Sequence, residues 1–329
     1  MRQPNIQRRE WLAAAVGSLA SLAAPAAFSQ VWPAKPLRII VPFPPGQAAD
    51  IIARVIGERL ALVLGQSVVI DNKPGAGGTL GADLSAKAPA DGYTLGMAGN
   101  ATMSIAPNMY PNLAYAPAKD FAPVARMASV PFVFSAPAES PIKSITQLIA
   151  AAKARPGELS YGSSGNGSTS HLVQALFAEM ADVKVNHVPY KGSAASLNDL
   201  LGGRLDFSAD TTAAVLTHLQ SGRLRGIGAS SLRRIPFLPD IPTLDEQGVK
   251  GYDAIAWAGL VAPAGTPQPV LARLNAEIVR ITEQPEVRQR FATLAIVPLM
   301  DTREQFAAFL QSDLRQWTTA VKVSGARVE

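Results

Sequence analysis

The order of strand-like and helix-like segments constrains the fold of this chain more than any other feature of its sequence. The apolar run Leu37–Phe43 is typical of a buried strand, and Ala49–Leu64 carries apolar residues at helical spacing. Ser67–Asp71 predicts a short strand, Thr79–Ala88 a helix and Tyr93–Ala98 another strand. Strands that alternate with helices in this way are typical of an α/β domain, so we expect a largely parallel sheet.

The same alternation begins again in the second half of the chain, between the strand-like segments Val130–Ala136 and Ile255–Ala262. Both segments lead into turns that contain proline, and no flexible linker of the usual composition separates the two units. We therefore predict two α/β lobes joined by two crossovers, with residues 30–131 and 256–329 in lobe 1 and residues 132–255 in lobe 2. The alternative is two sequential domains with an ordinary linker.

The N-terminal segment has the pattern of an export signal. A basic head with Arg8 and Arg9 precedes a nearly uncharged run that ends at Phe28, and small residues stand where a signal peptidase reads the chain. An aromatic residue and a leucine follow the arginine pair, as in twin-arginine signals. We expect residues 1–29 to form a signal peptide that is cleaved after Ser29, which places the mature protein in the periplasm.

Composition excludes several classes of protein. Hydrophobic residues make up 48% of the 329 residues and charged residues 17%, which favours a globular core over disorder. The chain has no Cys, so packing alone must stabilise the exported fold. The net charge of +5 comes from scattered basic residues, which does not indicate nucleic-acid binding. The three His are not closely spaced, and neither a metal nor a cofactor is predicted.

Glycine-rich loops between strands and helices are the candidate ligand-binding segments. Ligands of open α/β sheets bind beyond the carboxyl ends of strands, and the free N–H groups at a helix start attract carboxylate oxygens. The first loop (residues 43–50) opens a helix, and we interpret Asp50 in the first turn as a structural cap. The third loop (residues 161–171) combines glycines with hydroxyl side chains before a helix, which predicts an anion cradle.

Two further loops are open to more than one interpretation. The second loop (residues 72–79) is either a tight turn or a ligand contact, and Leu80 breaks the glycine spacing of a dinucleotide-binding motif. In the fourth loop (residues 187–194), Lys191 is either solvated or in contact with the ligand. Asp210, at the end of a strand, is either a ligand contact or a helix cap. The candidate ligand-binding residues are Phe43, Pro44, Gly46, Gln47, Ala48, Asn100, Ala101, Ser163, Ser164, Gly165, Gly167, Ser168, His171, Tyr190, Lys191, Gly192, Ala194 and Asp210.

A series of short motifs runs through the whole mature chain from about Pro33 to about Gly325. It comprises Pro42-Phe43-Pro44-Pro45-Gly46 with Asp50 and Arg54, Asn72-Lys73-Pro74-Gly75-Ala76-Gly77-Gly78, Asp91-Gly92-Tyr93-Thr94-Leu95, Lys119-Asp120-Phe121, Gly162-Ser163 through Gly167-Ser168 to His171-Leu172, His187-Val188-Pro189-Tyr190-Lys191-Gly192, Leu238-Pro239-Asp240-Ile241-Pro242-Thr243, Trp257, and Ala262-Pro263-Ala264-Gly265-Thr266-Pro267. In this series the chain resembles the extracytoplasmic solute-binding receptors of tripartite tricarboxylate transporters, known as the Bug family.

The resemblance implies a two-lobed periplasmic-binding-protein fold of type II, which closes like a Venus flytrap. It also implies that backbone amides and ordered waters of the first loop hold a ligand carboxylate, and that lobe 2 loops close over the other end. The chain departs from the family at Gln47 and Ala49, where the family usually has glycine and a hydroxyl residue. The ligand is therefore expected to differ from the simple dicarboxylates.

The expected function is capture of a small carboxylate-bearing solute by a monomer that delivers it to the membrane subunits of a tripartite transporter. One alternative is an exported hydrolase that uses Ser164 and His171, although Asn166 stands where a nucleophile-elbow motif needs glycine. Another alternative is a sensory receptor that passes ligand occupancy to a signalling partner. We expect no enzymatic activity.

Overall fold

Two mixed sheets, one of six strands and one of five, organise the fold. The structure is a computed structural model that describes residues 32–326, and residues from Lys35 onward form one compact unit. The predicted signal peptide, residues 1–29 with cleavage after Ser29, lies outside the described residues. Within the described range, no helix is long and apolar enough to cross a bilayer.

The sheet of lobe 1 has six strands in the order β11-β4-β10-β3-β1-β2. Strand β1 is parallel to β2 and β3, whereas β10 is antiparallel to both β3 and β4, and β11 is antiparallel to β4. The strands are β1 (Leu37–Val41), β2 (Val68–Asn72), β3 (Thr94–Ala98), β4 (Phe121–Val130), β10 (Ala256–Pro263) and β11 (Val297–Pro298).

The sheet of lobe 2 has five strands in the order β7-β6-β8-β5-β9. Strand β6 is parallel to β7 and β8, and β5 is antiparallel to β8 and β9. The strands are β5 (Phe132–Pro137), β6 (Ser160–Ser163), β7 (Asn186–Pro189), β8 (Phe207–Thr211) and β9 (Leu224–Ala229).

Each sheet therefore contains three adjacent strands that are parallel to one another. The next strand in the sheet is antiparallel to them and comes from the other lobe. Strand β5 follows the first crossover at Pro131, and β10 follows the second crossover. The three strands predicted for lobe 1 are parallel as expected, but each sheet as a whole is mixed, because a strand that enters from the opposite lobe runs against its neighbours. The two-lobed α/β fold with two crossovers is confirmed.

Helices cover the faces of both sheets. Helix α1 buries Ile52, Val55, Ile56 and Leu60 at helical spacing and ends at Gly65, which has the left-handed conformation (φ 65°) that favours glycine. The α-helices are α1 (Ala48–Leu64), α2 (Thr79–Ala86), α3 (Ala106–Met109), α4 (Pro117–Asp120), α5 (Ile145–Ala154), α6 (Thr169–Met180), α7 (Ser193–Leu201), α8 (Thr212–Gln220), α9 (Gln268–Glu283), α10 (Pro285–Thr293) and α11 (Arg303–Ser324). A 3₁₀ turn at Ala76–Gly78 precedes α2, and a π-helix at Ala101–Ile105 precedes α3.

The last helix, α11, packs on both lobes. Phe306 belongs to the apolar cluster of lobe 1 that includes Trp257. Trp317 and Val321 instead belong to the cluster that contains Leu172 of lobe 2. The predicted division assigns all of residues 256–329 to lobe 1, whereas the C-terminal half of α11 packs against the core of lobe 2. The exact boundaries of the lobes stay a prediction.

Candidate functional site

The carboxyl ends of the parallel strands place the predicted loops at one edge of each sheet. In lobe 1, β1, β2 and β3 end at Val41, Asn72 and Ala98, so the first loop, the second loop and the π-helix begin side by side. In lobe 2, β6, β7 and β8 end at Ser163, Pro189 and Thr211, which brings the third and fourth loops together.

Asp50 is the anchor of the first loop. Its carboxylate is 2% exposed, forms an ion pair with Arg54 at 2.9 Å and accepts the Asn72 side-chain amide at 2.9 Å. It also accepts the N–H of Gly46 at 2.9 Å. Burial by itself raises the pKa of Asp50, but the hydrogen bonds from Arg54, Gly46 and Asn72 outweigh burial and hold the pKa at about 2.

These contacts decide which amides of the first loop can meet a ligand. The Gly46 N–H is already bonded to Asp50, and the Gln47 side chain, at the N-cap of α1, makes no capping hydrogen bond. The N–H groups of Ala48 and Ala49 lie in the first helical turn, where no carbonyl of the helix can accept them. Pro44 lies on the same exposed segment.

The second loop packs between the first loop and the π-helix. Gly78 has a φ of 97°, and a Cβ there would lie 3.2 Å from the Phe43 ring and 3.0 Å from Thr102 Cγ2. Asn72 donates to the Phe43 carbonyl at 3.0 Å, which ties the two loops together. Phe43 therefore supports the loops of lobe 1 from the side.

Asn100 connects the two lobes. It lies at the start of the π-helix, is 4% exposed, and its amide reaches the Thr169 hydroxyl of lobe 2 at 3.5 Å. Gly167 of the third loop lies against Met109, because a Cβ at Gly167 would be 2.5 Å from Met109 Cε. These contacts close one side of the interlobe cleft.

Most amides of the third loop have partners within the loop itself. Ser164 N–H donates to Ser170 Oγ at 3.0 Å, Gly165 N–H donates to Ser163 Oγ at 3.2 Å, and Gly167 N–H donates to His171 Nδ1 at 3.1 Å. The hydroxyls of Ser164 and Ser168 both bond the Ser170 hydroxyl, and Ser168 caps α6 by accepting the N–H of His171, so a ligand would share these hydroxyls with the loop.

His171 is a buried neutral side chain beneath the third loop. Its ring stacks on that of His187 with the centroids 3.8 Å apart, and His187 Nε2 lies 2.7 Å from Ser163 Oγ. Burial, with the neighbouring His187, lowers the pKa of His171 to about 4. Ser164 Oγ bonds Ser170 Oγ at 3.0 Å instead of His171, so in the described residues this pair lacks the hydrogen bond that a serine nucleophile needs.

The fourth loop is tied to the third. Tyr190 N–H donates to the Ser163 carbonyl at 3.1 Å, and Gly192 N–H donates to the Ser164 carbonyl at 3.2 Å. The Tyr190 hydroxyl donates to Asp199, which directs it along α7. Lys191 and Ala194 are exposed on the same turn.

Asp210 is buried at the end of β8. Its carboxylate is 4% exposed and accepts the N–H of Thr211, the N-cap of α8, at 2.7 Å. Burial raises the pKa of Asp210, although hydrogen bonds from Ser193 and Thr211 partly offset this effect. Asp210 therefore joins β8 to the start of α7 beneath the fourth loop.

The cleft between the lobes has a volume of about 400 Å³. Of the predicted residues, Ala101, Ser164, Gly165, Gly167 and Ser168 line it. Sequence reasoning did not place the other lining residues in the candidate set: Gly77, Ile105, Ala106, Met109, Tyr110, Asn166 and Thr169. Four of these, Ile105, Ala106, Met109 and Tyr110, follow β3 in a segment that has no recognisable motif. Gly77 belongs to the glycine-rich second loop, which the sequence did single out.

A larger cavity, of about 630 Å³, lies at the crossovers and includes Pro131 and Ile255. It contains none of the predicted ligand-binding residues. No group of three or more acidic or histidine side chains in residues 32–326 is placed to hold a metal ion.

Similarity to known proteins identifies the kind of molecule to which this cleft belongs. The model of the family described as "Tripartite tricarboxylate transporter family receptor" matches residues 52–325. The chain belongs to this receptor family. Protein BugT of Bordetella pertussis is 35% identical over 311 residues, which cover 94% of this chain and 95% of BugT.

Solved structures of similar chains share the receptor's fold. Rpa4515 of R. palustris, solved with adipate, has a TM-score of 0.73 and 34% identity and covers 90% of the receptor and 100% of its own chain. MatC (Rpa3494) of Rhodopseudomonas palustris, solved with bound malate, has a TM-score of 0.69 and 33% identity. The match covers 88% of the receptor and 100% of the MatC chain. Similar structures include a periplasmic binding protein, BugD. The predicted resemblance to Bug-type receptors is confirmed.

Proposed function

We propose that this receptor captures a small carboxylate-bearing solute in the interlobe cleft and delivers it to the membrane subunits of a tripartite transporter. The observation that carries the proposal is the cleft itself. It has a volume of about 400 Å³ and is lined by Ala101 of lobe 1 and by Ser164 and Ser168 of lobe 2. This volume is within the range of pockets for small organic molecules. The adipate and malate in the similar structures support a carboxylate as the ligand.

Neutral hydrogen-bond donors, and not a cationic side chain, bind the negative charge of the solute. The first-turn N–H groups of α6 carry partial positive charge and begin at Thr169, which lines the cleft. Those of α1 lie at the corresponding edge of the lobe 1 sheet, but no residue of α1 lines the cleft. Arg54 is already paired with Asp50. We therefore infer that amides and hydroxyls bind the carboxylate.

The two walls of the cleft differ in polarity. Ala101, Ile105, Ala106 and Met109 give lobe 1 an apolar wall, whereas the third loop of lobe 2 offers hydroxyl groups and backbone. A solute that combines a carboxylate with an aliphatic chain or a ring satisfies both walls. This class includes the longer dicarboxylates and the aromatic carboxylates.

The place of action is proposed to be the periplasm. The support is the signal-like pattern of residues 1–29 together with the family to which the chain belongs. N-terminal sequencing of the protein recovered from the periplasm should then begin at Gln30. The intact N-terminus on that protein would exclude cleavage after Ser29.

Thermal unfolding in the presence of candidate solutes tests the binding function. The panel contains adipate, malate, tricarboxylates, amino acids, nicotinate and benzoate, each with its uncharged carboxamide as a matched control. A solute that binds only the folded state at 100 times its Kd adds about 2.7 kcal/mol to the free energy of unfolding, which raises Tm by several degrees. The carboxamides should leave Tm unchanged. A folded, ligand-free receptor whose Tm responds to none of the acids contradicts the proposal.

A further inference from the structure

Asp313, on α11, is a buried carboxylate that the cleft does not contain. It is 5% exposed and accepts hydrogen bonds from the Ser104 hydroxyl, from Trp257 Nε1 at 2.9 Å and from Trp317 Nε1 at 2.9 Å. Burial raises its pKa to about 6 despite these three donors. A buried charge is expensive, and an apolar side chain would attach α11 to the core at lower cost. The arrangement of the donors indicates what the carboxylate does.

The first donor belongs to the wall of the cleft. Ser104 lies in the π-helix, whose residues Ala101 and Ile105 line the cleft and whose N-cap, Asn100, reaches Thr169 of lobe 2. A single π-helical turn is rare and less favourable than the α-helix into which it can relax. The bond from Ser104 to Asp313 therefore fixes the register that presents Ala101 and Ile105 to a solute.

The other two donors pack in the cores of different lobes. Trp257 lies on β10 and packs with Phe306 in the cluster of lobe 1. Trp317, one helical turn after Asp313, is completely buried in the cluster that contains Leu172 of lobe 2. The carboxylate thus joins the π-helix, the strand that returns through the second crossover, and the part of α11 that packs on lobe 2.

We propose that Asp313 is a positioning residue for solute binding, which holds the π-helix in register through Ser104 and couples that register to the interlobe helix α11 through the two tryptophans. The proposal rests on the proposed function, because it assumes that this cleft takes the solute. Occupation of the cleft then changes the environment of both indoles, although neither Trp257 nor Trp317 lines the cleft.

The decisive variant is Ser104→Ala, which removes only the link between the π-helix and Asp313. The matched control is Ser85→Ala, which also removes a buried hydroxyl, but one that bonds the Gly81 carbonyl within its own helix. For the carboxylate that raises the wild-type Tm most, calorimetry should show a Kd about tenfold weaker in Ser104→Ala, the factor expected for loss of a hydrogen bond to a charged acceptor. Ser85→Ala should bind as the wild type does.

The indole N–H resonances separate positioning from general stability. In the wild type, the solute should shift the ¹H–¹⁵N signals of Trp257 and Trp317. Ser104→Ala should abolish this response at a temperature well below its Tm, where the variant is still folded, and Ser85→Ala should retain it. Wild-type affinity, or a wild-type indole response, in Ser104→Ala overturns the proposal.

Hydrogen exchange of backbone amides in the unliganded protein tests the role of Asp313 independently of the proposed binding function. If no carboxylate binds the wild type, the proposed function fails, and exchange at residues 100–105 decides the role of Asp313. At least about tenfold faster exchange there in Ser104→Ala than in Ser85→Ala supports the coupling of Asp313 to the π-helix register. Equal exchange in the two variants overturns it.

Discussion

At the scale of single residues, the first loop depends on the carboxylate of Asp50. Asp50→Asn removes the charge that pairs with Arg54 and weakens the bond from Gly46 N–H, so we expect a loss of about 1–3 kcal/mol in the free energy of unfolding at pH 7. Because the pKa of Asp50 is lowered to about 2, its contribution is complete above about pH 4 and disappears as the pH falls through 2. Urea denaturation at pH 7 and pH 2 measures both effects.

The control is Asp83→Asn, which breaks a helix pair with Lys87 whose side chains are 21% and 62% exposed, and it should cost about 0.5 kcal/mol. Equal losses in the two variants would contradict the role of Asp50. The sequence alone predicted that Asp50 is structural, because an acidic residue in a first helical turn caps free amides. It could not show that Asn72, 22 positions later, completes the network, since that contact depends on how β1 and β2 pair.

At the scale of elements, the third loop and helix α3 meet at Gly167. Gly167→Ala places a methyl group 2.5 Å from Met109 Cε at a φ of 71°, so it should strain the loop and displace the flexible end of Met109, which lines the cleft. We expect about 1 kcal/mol of lost stability from the backbone and about tenfold weaker solute binding from the contact with Met109. Calorimetric Kd values and urea denaturation measure the two losses.

Gly157→Ala is the matched control, because Gly157 has a φ of 80° but no atom within 4 Å of the added methyl group. It should lose similar stability and bind solute normally. Combining Gly167→Ala with Met109→Ala should restore much of the affinity. If the double variant binds no better than Gly167→Ala, the contact between the lobes is not the cause.

Other elements show where sequence patterns fail. Strand β4 was not predicted, because its buried and half-buried positions do not alternate and Pro123 lies within it. Strand β9 contains Gly226 and Gly228, which usually weaken a strand. Here Ile241 and Ile145 occupy the space that a Cβ would need, at 2.4 and 2.5 Å. Such long-range packing leaves no local signal, whereas α1 was predicted at Ala49–Leu64, within one residue of its observed start, because its apolar face follows the helical period.

At the scale of the whole molecule, the path of α11 between the lobes could not be predicted from its sequence. Its apolar residues repeat with the helical period whether they contact one lobe or two. Phe306 packs in the apolar cluster of lobe 1 and Trp317 in that of lobe 2. Both contacts depend on the second crossover, which brings the chain back to lobe 1 before α11 begins. The same topology that brings the loops together also stacks two histidines beneath them.

The stacked histidines should set the response of the whole molecule to acid. The pKa of His171 is lowered by burial to about 4, and that of His187 is lowered as well, so both are neutral in the folded protein and gain protons on unfolding. Stability from His171 is therefore lost as the pH falls from about 6.5 to about 4, by about 3 kcal/mol. Asp313 acts in the opposite direction over part of this range, because its raised pKa favours the folded state as the pH falls below about 6.

His171→Asn tests this balance, because the asparagine oxygen can still accept the Gly167 N–H but does not titrate. Urea denaturation of wild type and variant at pH 7, 5.5 and 4 should show the wild type losing more stability towards acid than the variant, although the variant is less stable at pH 7 through the lost ring stacking. Asp313→Asn should steepen the acid loss, since it removes the opposing contribution. Parallel pH profiles for wild type and His171→Asn would show that the buried histidine does not govern the acid stability of the receptor.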